Sequence, residues 1–436
     1  MTERSAKPFA WHGTEKMIYD VRMGPVALYH KDVIYIVYHA NPHGPEAHPH
    51  VISYDVAEGK WSSAVQVGQV ARYDHHFAPV IWLDRENRFH ILFNCHGQDG
   101  GIHLVSTKPE SINEWTAAPS PANSVSYPRV MPIQNGNLLL YYRVFGHMGY
   151  WTYQVSSDGG YSWTRPDVPL VDFDQEPQNN ADTWAGSYHS VRPSRDGRSL
   201  HIAFVYWDER RAKNPVYRCR LHSNNRYHLY YLRLDLASGC VYSIDGKRIT
   251  TPVTRERAEQ CKVWDTGHRL TNMPSILVDR GDNPRFLMPV SEETPYRCMF
   301  YFIKRSQGQW EKYPIVRTNH TWSACHITHG AEGELLAYLV VGNTDGEMLS
   351  YGGGDVEEWG SADDGITWQL RRKVVPTPGL LYNNPRAVER TDGTEVPGYI
   401  VFFGWEGPGS LQRLTSPYRP LQNSGRAYLW RDGEWL

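Results

Sequence analysis

The 436-residue sequence is short of several things, and each shortage removes a class of function. No run of about 18 apolar residues occurs, so no membrane-spanning helix is expected. The opening MTERSAKPFAWHG lacks the apolar stretch of a secretion signal, which makes a cytoplasmic location the expectation. No lysine/arginine block stands out among 45 basic and 47 acidic residues, and the net charge is −2. Neither nucleic acid nor an anionic membrane is therefore an expected partner. Six cysteines (Cys95, Cys219, Cys240, Cys261, Cys298, Cys325) are scattered without a CxxC pair. A disulfide framework is not expected in a chain this long, and reduced thiols are the simpler state. The 3.6-residue periodicity of amphipathic helices is nearly absent.

What the sequence has in quantity is aromatic residues, 13% of the chain, with 16 Trp and 28 Tyr. They favour strands and suit flat-faced binding of sugars. The chain also repeats one loose pattern seven times. Each pass is a run of short apolar strands divided by Gly or charged turns, ending in Trp or Tyr. The passes end near Trp61, Trp115, Trp163, Tyr242, Trp310, Trp368 and Trp435. Four short strands per pass, repeated through the chain, predict an all-β fold. The expected form is a seven-bladed β-propeller of four antiparallel strands per blade, one domain over residues 1–436. Two stretches, Ser156 to Trp163 (SSDGGYSW) and Ser361 to Trp368 (SADDGITW), match the Asp-box pattern S-x-D-x-G-x-[ST]-W. In such a turn the Asp caps amides, the Gly takes positive φ and the Trp packs between sheets. Its role is structural.

In a propeller the first strand of each blade lines the central channel, so the strand openings are where a site would assemble. They read Asp74-His75-His76, Tyr127-Pro128-Arg129, Tyr188 to Arg192, Asn272-Met273-Pro274, Asn319 to Trp322 and Asn383 to Arg386, with His96 and Arg143 from second-strand ends. Histidine, tyrosine and arginine dominate, a set able to bind anions and move protons.

Together, DHHFAP, FNCHG, SYPRV, LLLYYR and SSDGGYSW resemble the BNR-repeat seven-bladed propellers of the polysaccharide lyases, the ulvan lyases and rhamnosyl-glucuronate lyases among them. Those enzymes carry D-x-H-x-x-P, then a His-Gly about twenty residues later, then a Tyr-Pro strand start with an Arg sixteen residues beyond the Tyr. Asp74, His76 and Pro79 match the first element, His96 and Gly97 the second, Tyr127 and Arg143 the third. Phe77-Ala78-Pro79 departs from the Asn-Asn-Pro usual there. The resemblance implies β-elimination at a uronic acid. The carboxylate is neutralised, the C5 proton is removed and the group on O4 leaves. It assigns His76 and His96 to the carboxylate and C5 face, Tyr127 to proton transfer and Arg143 to the carboxylate, with Asp74 and Pro79 structural. Which histidine is the base stays open. Strand alternation turns His75 to the face opposite His76. His75, Arg129, Tyr188, Arg192, His320, Trp322 and Arg386 are the candidate substrate contacts.

No cofactor is required by this chemistry. A structural zinc or calcium is the one metal role considered. Cys219, His222 and His228 are the candidate zinc ligands, with Cys261 or His268 as a distant fourth. The competing readings are a rhamnosidase-like glycoside hydrolase using His43, His48 and His50, a sialidase, and a non-catalytic carbohydrate-binding propeller. A sialidase arginine triad is not found in the expected order.

Overall fold

A computed structural model describes residues 6–13, 19–41, 46–71, 74–97, 99–146, 149–164, 168–173, 183–210, 225–344, 352–406 and 425–436. Among these the structure is nearly all β, with one four-residue α-helix, Arg255–Ala258. The strands form six sheets. The largest, ten-stranded, holds two antiparallel sets. One is Ala27–His30, Val33–Ala40, His48–Asp55 and Lys60–Trp61; the other is Leu380–Arg390, Glu395–Glu406 and Gly425–Arg431. A short parallel pairing, Leu28 with Glu389, joins them. The other sheets follow the sequence passes in order and are antiparallel throughout.

Trp61 and Trp435 end the short strands Lys60–Trp61 and Glu434–Trp435, whereas three other pass-ending tryptophans sit at the start of an outermost strand. Trp115 opens Trp115–Ala118, Trp310 lies one residue into Gln309–Thr318, and Trp368 directly precedes Gln369–Val374. The outer edge of the last set is completed from both chain ends: Ala10–Gly13 and Glu434–Trp435 both pair with Gly425–Arg431. The fourth pass runs past Tyr242, adding Arg248–Ile249 and Lys262–Trp264 to its sheet.

The chain packs as two compact units: Met1–Gly146 with Tyr153–Asp167 and Val374–Leu436, and His147–Thr152 with Val168–Lys373. The first has a core of Leu28, Val37, Val51, Phe77, Ile81, Phe89, Ile91 and Phe93, contributed by neighbouring sheets. The second has Leu277, Leu287, Phe300, Phe302, Ile327 and Leu339. Apolar side chains at alternate strand positions face these layers, and inner strands such as Phe89–Phe93 and Leu138–Arg143 are buried on both faces.

Both Asp-boxes have the expected turn. Asp158 Oδ1 accepts the amides of Tyr161 (3.1 Å) and Ser162 (3.0 Å), and Trp163 Nε1 donates to Gly160 O at 3.1 Å. In the second box Asp363 Oδ1 accepts the Thr367 amide (2.9 Å), and Trp368 Nε1 donates to Gly365 O at 3.0 Å. These bonds hold the Asp363 carboxyl down at about 2, the Thr367 hydroxyl contributing most. Among the described residues, no disulfide joins Cys95, Cys240, Cys261, Cys298 or Cys325.

Candidate active site

Two hairpins of the first unit build the site. In the first, Val80–Leu83 pairs with Phe89–Phe93 so that Val80 faces Leu92. His76 lies four residues before Val80 and His96 four after Leu92. The strand pairing stops there, and the histidines lie on the segments that flank it, twenty residues apart. The bond from Asn94 N–H to Phe77 O (3.1 Å) ties these two segments together. The rings stack at 4.0 Å between centroids, 6° from parallel.

His75–Phe77 is a 3-10 turn and not a strand, because Asp74 caps it and accepts the His76 amide at 3.0 Å. The expectation that His75 points away from His76 is thereby corrected: period-two alternation does not apply in a turn, and the two rings lie 3.8 Å apart. Asp74 also bonds His76 Nδ1. With the carboxylate as acceptor, this contact favours the proton on Nδ1.

In the second hairpin, Ser126–Pro132 pairs with Leu138–Arg143, and Ser126 faces Arg143. The sixteen-residue Tyr127–Arg143 spacing is thus the length of this hairpin. The register breaks between Ser126 and Arg129, and Tyr127 sits in the break with φ +57. A bulky residue in the left-handed region costs about 1–3 kcal/mol and survives only where the surroundings enforce it. Asn384, also followed by a proline, has φ 54 at a similar break in Leu380–Arg390.

The bulge turns the Tyr127 ring edge-on to both histidines, 5.3 Å from His76 and 6.0 Å from His96. The Arg143 guanidinium lies 4.6 Å from the ring centroid and that of Arg22 4.5 Å. Arg22 Nη1 also donates to the Tyr127 hydroxyl at 3.3 Å. Arg22 is a site residue that the repeat pattern does not reveal. Its segment lies along the Tyr127 strand: Gly24 N–H donates to Pro128 O (3.1 Å) and Val130 N–H to Gly24 O (2.9 Å). A Cβ on Gly24 would stand 2.0 Å from Arg129 Nη1, so a larger residue would have to displace the Arg129 side chain. Buried Asp20 grips Arg22 in a forked pair. Although burial opposes it, the Arg22 charge holds the Asp20 carboxyl below its ordinary range.

The site is layered. Tyr127 and Arg143 are fully buried, while Asp74, His75 and His96 are partly exposed. Burial pushes the pKa of both His75 and His96 down to about 4, so both are neutral at pH 7.

Asp74, His76 and His96 have donor atoms within 4.8 Å of one another, close enough to test as metal ligands. Their arrangement suits a metal poorly. Imidazole lone pairs lie in the ring plane, and stacked parallel rings aim them side by side instead of converging on a tetrahedral centre. His76 Nδ1 is also taken by Asp74.

The remaining sequence candidates divide. Arg129 is held by both oxygens of Glu389, at 2.7 and 2.8 Å. Arg386 donates to Met23 O at 3.4 Å. Tyr188, Arg192, His320 and Trp322 belong to the second unit. There Arg226, another residue not singled out from sequence, lies 4.1 Å from the Tyr188 ring and 4.4 Å from that of Trp322. His320 Nδ1 accepts the Trp322 amide at 2.9 Å, and Arg192 is half-buried. His48 accepts the Val70 amide (3.3 Å), and His50 stacks on Tyr38 at 5.4 Å. His43, Cys219 and His222 lie outside the described residues. Of the zinc candidates that are described, His228 accepts the Thr266 amide at 3.2 Å. Cys261 Sγ bonds Ala258 O at 3.1 Å, and burial pushes its thiol up to about 12, against a thiolate ligand.

Repeated antiparallel β-units, with histidines, a tyrosine and arginines gathered at the strand ends of two hairpins, define the class: a β-repeat protein. The sequence model of a BNR repeat-containing family member matches residues 34–318, and the chain belongs to that family. It is 25% identical over 427 residues to an ulvan lyase of Nonlabens ulvanivorans, covering 88% of this chain and 86% of that one. It is 23% identical over 286 residues to a PL25 ulvan lyase of Pseudoalteromonas sp. (strain PLSV), covering 60% of this chain and 56%, just over half, of that relative. A solved PL25 ulvan lyase bound to -[GlcA(1-4)Rha3S]- superposes with a TM-score of 0.80 at 17% identity, covering 99% of this chain and 97% of that one.

Proposed function

We propose that this protein is a polysaccharide lyase that cleaves a uronic-acid-containing glycan of the ulvan type by β-elimination. The similarity to ulvan lyases supports the reaction class. The observation that carries the site is Tyr127, held in a left-handed backbone between two guanidinium groups and edge-on to two stacked histidines. We read the two halves of the ten-stranded sheet as separate blades, which with the other five sheets makes the seven blades of a propeller.

Arg143 and Arg22 supply the positive field against which the uronate carboxylate is neutralised. Without it the carbanion at C5 is too costly. His76, its Nδ1–H held by Asp74, presents Nε2 and takes the C5 proton. The C5–H electron pair forms the C4=C5 bond, and the C4–O4 bond breaks. On this reading substrate binding uncovers the buried Tyr127 hydroxyl, which gives its proton to the departing oxygen, and the flanking guanidiniums stabilise the charge left on the phenol oxygen. Neutral His96 stacks on His76 and fixes its ring plane.

The test is ultraviolet absorbance of the unsaturated uronate during digestion of ulvan, wild type beside Tyr127→Phe. Rising absorbance in the wild type that drops on the order of 100- to 10,000-fold in the variant supports the proposal. Sugar release without new absorbance would make the reaction a hydrolysis and overturn it.

A further inference from the structure

Phe145 is the most exposed of the large apolar side chains among the described residues, at 57%. Single exposed apolar residues are ordinary, and Ile366 and Leu370 need no more explanation than that. Phe145 differs in three ways. Its backbone is left-handed, φ +58, and Gly146 after it has φ +65. Ile366 and Leu370 have no such strain. It is also tethered to the site: Phe145 N–H donates to Ser124 Oγ at 2.9 Å, and the same hydroxyl donates to Gly97 O at 2.7 Å. Gly97 directly follows His96 and is held on its other side by Ser126 Oγ, 3.2 Å from its N–H. Finally, the chain here presses on the histidine loop. A Cβ on Gly146 would come within 3.2 Å of Gly97 Cα and 3.9 Å of His96 Cε1.

A buried serine thus clamps the loop carrying His96 to the turn that leaves Arg143, and the ring displayed on that turn is Phe145. The backbone strain is not offset by burial of the side chain. Strain of this kind, kept by a dedicated tether beside a reactive centre, is the mark of a positioned functional group.

We propose that Phe145 is a stacking platform for the pyranose ring linked to the uronate, which it binds through the ring's apolar C–H face. This rests on the lyase reading, since it is the uronate at His76 and His96 that places the neighbouring sugar. An aromatic ring offers a flat, rigid, apolar surface at low entropic cost, and the first sugar beyond the reacting one needs that support. Phe145 acts on binding and takes no part in proton transfer.

Phe145→Gly tests the idea cleanly, because glycine accepts the left-handed backbone without strain. On ulvan tetrasaccharide we expect KM to rise about tenfold with a far smaller change in kcat, as loss of a binding contact predicts. The melting temperature should not fall, and Phe145→Tyr should keep a near-native KM. An unchanged KM in Phe145→Gly overturns the proposal. So does a fall in kcat with a lowered melting temperature, which would make the ring a structural element. In parallel, calorimetry would measure tetrasaccharide binding to Tyr127→Phe with and without Phe145→Gly. If the wild type makes no unsaturated product yet Phe145→Gly still weakens binding about tenfold, the platform stands and the lyase reading falls. No binding by any variant overturns both.

Discussion

His76 and His96 stack 4.0 Å apart with their planes 6° from parallel, although twenty residues separate them in sequence. Two neutral imidazoles can stack in this way, whereas two imidazoliums in so buried a place would repel. The contact fixes the ring plane of His76, and Asp74 engages its Nδ1.

Asp74→Asn separates this role from capping. Asparagine caps a turn as well as aspartate, so the 3-10 turn and the melting temperature should persist. The charge that fixes the His76 proton on Nδ1 and stabilises its protonated form is lost. We expect kcat to fall on the order of 100-fold with little change in KM. Asp74→Ala should in addition lose about 1 kcal/mol of stability as the cap goes. Equal kcat in wild type and Asp74→Asn would remove Asp74 from the mechanism.

Arg22 and Asp20 are both buried, so removing one strands the other's charge. Arg22→Met should destabilise the fold by about 3–5 kcal/mol, whereas Asp20→Leu/Arg22→Met should recover much of that loss. The double variant should still be nearly inactive, because Tyr127 has lost one of its two flanking charges. Urea denaturation midpoints and the unsaturated-product assay report the two effects separately. A double variant with native turnover would confine Arg22 to structure.

Much of the site was legible because antiparallel hairpins turn sequence spacing into contact. His76 and His96 flank one hairpin, Tyr127 and Arg143 belong to another, and both spacings can be read from the sequence alone. What was not legible lies outside that regularity. Arg22 precedes the first repeat and reaches Tyr127 because the Gly24 backbone bonds to Pro128 and Val130. The orientation of His75 was misread because Asp74 caps a turn where alternation assumed a strand. The left-handed Tyr127 was hidden because no local pattern marks a bulge before Pro128. At fold level the repeats gave the sheets, but not the N-terminal strand Ala10–Gly13, which belongs to no repeat and pairs with the far end of the chain.

Acid should weaken this protein over a defined window. His75, His96 and His103 have an ordinary value of 6.5 and are pushed down to about 4, in each case mainly by burial. Between those values the unfolded chain binds protons that the folded chain refuses. Their contribution is therefore complete above about pH 6.5 and drains away as pH falls toward 4. Asp74 and Asp20 pull His96 toward protonation while Arg143 and Arg22 oppose it, and burial outweighs all four. Melting curves from about pH 7.5 to about pH 4.5 should show a steady fall in melting temperature, steepest below about pH 6.5. A flat profile across that range would contradict the buried neutral histidines.

The first Asp-box should matter for stability and not for turnover. Gly160 has φ +107, a conformation closed to other residues, and a Cβ there would meet Trp82 Nε1 at 2.6 Å. Trp82 cannot withdraw freely, since its Nε1 donates to Gly159 O at 3.0 Å and its ring stacks on His90 and His103. Gly160→Ala combines backbone strain with that clash and should cost about 2–4 kcal/mol. The box joins neighbouring sheets of the first unit through Trp82 and shares no residue with the histidine site. The folded fraction of Gly160→Ala should therefore keep near-native kcat and KM at a temperature well below its lowered melting point. A loss of kcat in fully folded Gly160→Ala would mean that the packing of these sheets sets the geometry of His76 and His96, making the turn a positioning element of the site.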